Sequence, residues 1–193
     1  MTTPLVIILA GPNGAGKSTA AAHLLPEGMT FLNADEIAKE QSDYPSQTAD
    51  FQASRILISR MDDLERQRAN FAVETTLASR SLAPRIARLR QSGYRFRLVF
   101  LYLPSPELSI ARVAGRVRLG GHHIPEETIR RRYESGMRNF RQLFQPLADV
   151  WGVYDARRPI PPRLIARGQT SEVIKIADPA AWRSFQGGSR DES

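Results

Sequence analysis

The sequence predicts an α/β fold, and three observations carry that prediction. Gly11-Pro12-Asn13-Gly14-Ala15-Gly16-Lys17-Ser18 fits G-x-x-x-x-G-K-[ST] at every fixed position. The aliphatic run Leu5-Val6-Ile7-Ile8-Leu9 ahead of it reads as a strand buried on both faces, and the alanine-rich stretch 18–25 behind it reads as a helix. Further along, short apolar runs alternate with stretches of helical spacing.

The loop's chemistry explains its residues. A row of phosphates needs many short N–H donors, and glycine lets the backbone turn and approach without a clashing Cβ. Gly11, Pro12, Asn13, Gly14, Ala15, Gly16, Lys17, Ser18 and Thr19 are the candidate nucleotide-binding residues. Lys17 would reach the β- and γ-phosphates as a point charge, and the Ser18 hydroxyl would hold Mg²⁺. The start of the helix offers its positive end to the anion.

The chain then reads in order. A second strand, 29–33, ends in Asn33-Ala34-Asp35-Glu36, and a short helix runs to about Glu40. Asp35 therefore sits near a strand's C-terminal end, where open α/β sheets place their chemistry. Its alternative role is helix capping or favourable charge in a first helical turn. After a break at Tyr44-Pro45-Ser46, a helix from about 47 to 68 places Phe51, Ile56, Leu57, Met61 and Leu64 roughly at helical spacing. Its opposite face, with Asp62, Asp63 and Glu65 among its charges, reads as solvated.

The third strand, 70–76, ends in Glu74-Thr75-Thr76. An unpartnered buried charge is expensive, so Glu74 belongs at the strand's mouth, against an arginine, a magnesium-bound water or a ligand hydroxyl. A helix over 81–91, stopped by Gly93, and a strongly apolar strand over 95–103 follow. Helices over about 107–119 and 126–140 flank Gly120-Gly121-His122-His123-Ile124-Pro125 and carry Arg112, Arg116, Arg118, Arg130, Arg131 and Arg132. This is either a lid, about 107–140, that closes over phosphates or a helical hairpin with exposed arginines. With no cysteine or spaced partner, the two histidines read as loop hydrogen-bonders. A fifth strand, 150–155, a proline-broken loop to 162, two short strands near 164–167 and 172–176 and a last helical turn or two complete a single domain over 1–185. Residues 186–193 read as a polar, frayed tail.

Composition sets bounds. The 193 residues have no cysteine, which removes disulfides, thiolate metal sites and cysteine nucleophiles and suits a reducing cytoplasm. Met1-Thr2-Thr3-Pro4 leads straight into the first strand, so no signal peptide is expected, and no apolar run reaches membrane-spanning length. The net charge is +7, and only Lys17, Lys39 and Lys175 of the basic residues are lysine. Arginine suits forked contacts to phosphate, so a sugar nucleotide, nucleic acid or an acidic protein fits this excess. A solvated surface accounts equally for most of these arginines.

Five features together resemble the zeta-toxin-like kinases, a branch of the P-loop kinases. They are the loop Gly11–Ser18, Asn33-Ala34-Asp35, Glu74-Thr75-Thr76, the run from Arg112 to Pro125, and Leu147–Asp155 with its Trp151-Gly152-Val153-Tyr154-Asp155 ending. The ordered set spans residues 5 to about 168 and looks most like the compact branch.

The resemblance implies a nucleotide-kinase-like three-layer sandwich with a central parallel sheet and an arginine-bearing helical lid. It implies transfer of the γ-phosphate of ATP or GTP, with Mg²⁺, to a sugar hydroxyl of UDP-N-acetylglucosamine. By that likeness Asp35 is the general base, Glu74 and Thr76 bind the acceptor, and Lys17 and Ser18 keep their loop roles. Arg118, and one of Arg130 or Arg131 (Arg131 in the reading adopted here), stabilise phosphate charge. A cognate antitoxin protein is the implied partner. Thr75 departs from the family pattern, since the larger toxins usually have glycine there, and it bears on the shape of the acceptor pocket. Two alternatives stand beside this reading. One is a P-loop kinase for another metabolite or a nucleic-acid 5′-hydroxyl; the other is a nucleotide-dependent ATPase switch without acceptor.

Overall fold

The computed structural model describes residues 3–41, 46–121, 123–157 and 161–187. The expected break at Tyr44-Pro45, His122 of the glycine hinge, part of the proline-broken loop (158–160) and tail residues 188–193 lie outside them. A seven-stranded sheet runs through the centre in the order β2-β3-β1-β4-β5-β6-β7. Strands β1 (Leu5–Ala10), β2 (Thr30–Leu32), β3 (Phe71–Thr75), β4 (Arg95–Tyr102) and β5 (Val150–Asp155) are parallel. The expected hairpin of short strands is present as β6 (Arg163–Gln169) and β7 (Glu172–Ile176), which run antiparallel and make the sheet mixed.

The alternation of side chains across β1 and β4 builds two cores. Val6, Ile8, Phe96, Leu98 and Phe100 face one side of the sheet. There they meet α2 (Ala34–Lys39), α3 (Gln47–Arg66), α4 (Leu82–Gln91), α6 (Glu126–Asn139) and α7 (Pro179–Gly187). Ile7, Leu9, Val99 and Leu101 face the other, against α1 (Lys17–Leu24) and Leu108 of α5 (Pro106–Arg118). A strand with both faces covered must be apolar throughout, which is why β1 reads as a continuous aliphatic run.

Helix ends follow from local residues. Ser46 and Ser105 cap α3 and α5, accepting from Ala49 N at 3.0 Å and Leu108 N at 3.2 Å. Gly93 takes a left-handed φ of 91° just past α4, where glycine is favoured. Two expectations are corrected. Phe51 is 66% exposed, because it lies outside the stripe that α3 buries. The charged face of α3 is not simply solvated: Arg88 of α4 donates to Asp62 at 3.0 Å and to Glu65 at 2.6 Å, and Arg85 also pairs with Asp62.

Helix α6 lies against the loop after β3. A Cβ on Gly136 would collide with the Thr76 carbonyl oxygen. Asn139 Nδ2 donates to Leu77 O at 2.7 Å, holding a buried leucine at a left-handed φ of 58°. The helix then widens into a π turn over Phe140–Phe144, which buries Phe140 and Phe144 beside Phe100, Trp151, Trp182 and Phe185. Gly136→Ala should therefore destabilise the fold by about 1–3 kcal/mol despite alanine's better helix propensity. Urea unfolding measures this, and an unchanged or raised midpoint would mean the helix and the Thr76 loop are not held in contact.

A candidate nucleotide site at the ends of the parallel strands

The site forms where the sheet's connections diverge. After β1 the chain leaves along one face through α1, and after β3 it leaves along the other through α4. The crevice between neighbouring strands β1 and β3 is thus the topological switch point, where open α/β sheets bind ligands. Leu9 pairs with Glu74 and Ala10 with Thr75, so the loop Gly11–Ser18 begins beside the acidic end of β3.

Steric constraints fix the loop. Gly11 has a φ of 148°, and a Cβ there would stand 2.5 Å from Leu101 O. Gly14, at φ 77°, leaves room for Arg112 Cβ 2.9 Å and Ser109 O 3.0 Å from where its own Cβ would be. Gly16 takes φ 75° immediately before α1. Buried Ser109 donates from Oγ to Asn13 O. Arg112 donates to Ala156 O at 2.7 Å, to Arg157 O at 2.8 Å and to Gly14 O at 3.4 Å, tying the loop to the end of β5.

One carboxylate gathers the polar side chains. Lys17 Nζ lies 3.7 Å from Glu74 Oε1 and donates to Pro12 O at 3.2 Å. Ser18 Oγ donates to Glu74 Oε2 at 2.8 Å, and Asn33 Nδ2 donates to the same oxygen at 3.1 Å. The Lys17 and Glu74 side chains are only 8% and 10% exposed. Burial holds the Lys17 ammonium below its ordinary 10.5. The Glu74 and Asp35 charges oppose that shift, and Arg116 adds to it. Glu74 at the strand's mouth thus has a partner, and it is the loop's own lysine and serine.

Asn33, not Asp35, caps α2. Its Oδ1 accepts from Asp35 N at 2.9 Å. Asp35 stands exposed in the first turn, with its charge acting on Lys17. Thr76 lies at the other rim, half-buried, and its Oγ1 accepts from Ala78 N at 3.4 Å. Thr75 Oγ1 accepts from Leu77 N at 3.0 Å, so this threonine builds the turn that gives Leu77 its left-handed φ. Thr19 is exposed on α1.

The arginines divide by position. Arg118 folds back along α5 toward Gly115 and lines a cavity of about 200 Å³ between α5 and α6, with Val113, Val117, Ile124 and Ile129. Arg130 pairs with Glu107 across the two arms, and Arg131 is exposed on α6. Arg116 is the arginine whose charge reaches Lys17. Sequence reasoning gave no role to Asn33, Ser109 or Arg116. The shared face of Arg112 and Arg116, four residues apart, was the one available signal for the last.

The donor set suits a magnesium nucleotide. Ser18 Oγ donates to Glu74 and accepts only a long bond from Asn33 Nδ2, which leaves an oxygen lone pair for a cation. Among the described residues no group of three or more His, Cys, Asp or Glu side chains could hold a metal alone. Mg²⁺ needs none, since it takes one or two protein oxygens together with substrate phosphates. Asn13 Oδ1 is buried with no hydrogen-bond partner among the described residues, a spare acceptor inside the loop. No helix of the described residues is long and apolar enough to cross a membrane.

The family model for zeta toxin matches residues 1–160. The chain belongs to the zeta toxin family. Among proteins of known sequence, an uncharacterized Haemophilus influenzae protein is 29% identical over 127 residues, 66% of this chain and 91% of that protein. Among solved structures, the AvrRxo1-ORF1:ORF2 complex with ATP superposes with a TM-score of 0.74 at 15% identity. That match covers 95% of this zeta toxin family chain but only 63% of the other. The PezAT toxin–antitoxin system of Streptococcus pneumoniae gives a TM-score of 0.67 at 19% identity, over 97% of this chain and 80% of that one. The expected three-layer α/β architecture is the one this chain has.

Lys17's depressed proton affinity has a signed consequence. The unfolded chain holds this proton more tightly than the native one, so Lys17's contribution to stability rises with pH as the window below 10.5 is crossed. As pH rises toward 10.5 the unfolding midpoint of wild type should gain on that of Lys17→Met. A constant difference across that range would mean Lys17 is not buried as described.

Proposed function

We propose that this chain is a phosphotransferase that moves the γ-phosphate of ATP, or GTP, onto a hydroxyl of a small acceptor. A UDP-activated sugar such as UDP-N-acetylglucosamine is the leading acceptor. The observation that carries the reading is the meeting of loop and carboxylates: Lys17 feels both Glu74 and Asp35 across one crevice. A switch that only hydrolyses nucleotide has no use for a carboxylate at Asp35 whose charge acts on the phosphate lysine.

The chain's residues divide the work. Backbone amides of Gly14–Ser18 and the Lys17 ammonium hold the triphosphate. Ser18, together with the phosphates, would hold Mg²⁺, which would supply charge neutralisation there. Asp35 orients the acceptor hydroxyl and takes its proton as the new O–P bond forms. The bond from the γ-phosphorus to its bridging oxygen breaks, and its electron pair leaves with the nucleoside diphosphate. Glu74 and Thr76 line the acceptor side. Arg118 and Arg131 meet charge on the moving phosphoryl from the lid, joined by Arg116, whose field already reaches Lys17.

Both arms of the lid are anchored at their bases, by Ser109 and Arg112 on α5 and by Tyr133 and Asn139 on α6. Closure therefore belongs to the distal halves of the arms. A partner that blocks the nucleotide site, of the antitoxin class, fits a member of this family; co-purification with a neighbouring gene product tests it. The proposed location is the cytoplasm.

Asp35→Ala should bind ATP normally and lose phosphoryl transfer; near-normal turnover would remove Asp35 from the mechanism. Alanine at whichever of Arg116, Arg118 or Arg131 meets the transferring phosphoryl should lower the rate on the order of 10³-fold, as for an arginine finger. A screen with labelled ATP decides the acceptor: transfer to UDP-sugars supports this reading. Transfer only to oligonucleotides makes the chain a 5′-hydroxyl kinase. Hydrolysis indifferent to every hydroxyl compound makes it a switch.

A further inference from the structure

Asn33 uses both ends of its amide. It is buried, at 7% exposure, at the end of β2. The parallel pairing of Leu32 with Val73 brings the next residue of each strand, Asn33 and Glu74, side by side. Oδ1 accepts from Asp35 N at 2.9 Å, and this fixes which end of the amide is oxygen. Nδ2 donates to Glu74 Oε2 at 3.1 Å and, more weakly, to Ser18 Oγ at 3.4 Å.

We infer that Asn33 is a positioning residue joining the two sides of the phosphate site: its oxygen sets the helical turn that carries Asp35, and its amino group holds Glu74 on Ser18. A cap alone does not call for asparagine, because Asp and Ser rank equally with it at that position. What asparagine adds is a donor beside a nearly buried carboxylate, where a hydrogen bond to charge is strong. With Nδ2 gone, Glu74 Oε2 retains Ser18 as its donor. The carboxylate is then freer to close on Lys17, which lies 3.7 Å away, and so to compete with phosphate for the ammonium. An aspartate at the same place puts a second anion against Glu74 and against the incoming phosphates. The link to catalysis through Asp35 rests on the kinase reading above; the link to Lys17 and Ser18 does not.

The test uses Asn33→Asp and Asn33→Ser in the full chain. Both keep a good cap, and neither carries the amide donor; serine is also too short to span to Glu74. The thermal midpoint of Asn33→Ser should fall only slightly, and that of Asn33→Asp further, because it adds an anion beside Glu74. The Kd for a fluorescent ATP analogue with Mg²⁺ should rise about tenfold, and kcat should fall by a similar factor. Wild-type Kd and kcat in these variants would make Asn33 only a helix cap. Failure of the uncharged Asn33→Ser to fold would also overturn the inference, because an equal cap would then not sustain the turn. A wild-type chain that binds the analogue yet phosphorylates no acceptor defeats the kinase reading, and the Kd comparison still decides the role of Asn33.

Discussion

The site is organised by the burial of one positive and one negative charge at the mouth of two adjacent strands. Lys17 and Glu74 are each nearly removed from water. Neither is tolerable there without the other, since removing one partner of such a pair costs about 3–5 kcal/mol. The pair lies in the crevice between β1 and β3, and hydrogen bonds fix its remaining oxygen to Ser18 and Asn33. Phosphate is the natural competitor for this lysine. The arrangement holds the ammonium in place with a carboxylate of the same chain, so under the proposed function a triphosphate would meet a pre-formed cation.

The surrounding fold supplies rigidity to that crevice. The loop is confined by glycines whose missing Cβ atoms leave room for Leu101 and Arg112. Side chains of α5 tie the loop's carbonyls to the end of β5. On the far rim, α6 is packed against Thr76, and the loop after β3 is held at Leu77 by Asn139 and Thr75. The proposed acceptor and donor sides are therefore both built on packed elements, which is what preorganised electrostatic catalysis would require.

Much of this was legible in the sequence because the signals were local. A strand, a glycine loop and a helix in immediate succession leave few alternatives, and five strands and two short closing strands followed from apolar runs and breakers, while their parallel arrangement came from the family resemblance. Asp35 and Glu74 were conspicuous because each carboxylate lies at or just past the end of a strand. What was not legible depends on partners far apart in the chain. Glu74 was expected at the strand's mouth, yet an arginine was as reasonable a partner as Lys17, 57 residues earlier in the numbering. Asn33 looked like part of a motif, and its double contact needs the β2–β3 register to be seen. Arg112 and Arg116 share a helix face, but only packing shows that the first is spent on carbonyls while the second acts on the lysine. Phe51 failed as a core residue because spacing gives a stripe's period and not its edge.

The most direct test is a crystal structure with Mg²⁺ and a non-hydrolysable ATP analogue. The account predicts phosphates cradled by Gly14–Ser18, the terminal phosphate on Lys17 in place of Glu74 Oε1, and the Asp35 carboxylate across a gap wide enough for a hydroxyl. An analogue seated elsewhere, or a Glu74 that keeps both Lys17 and Ser18 while Asp35 faces away, would contradict it.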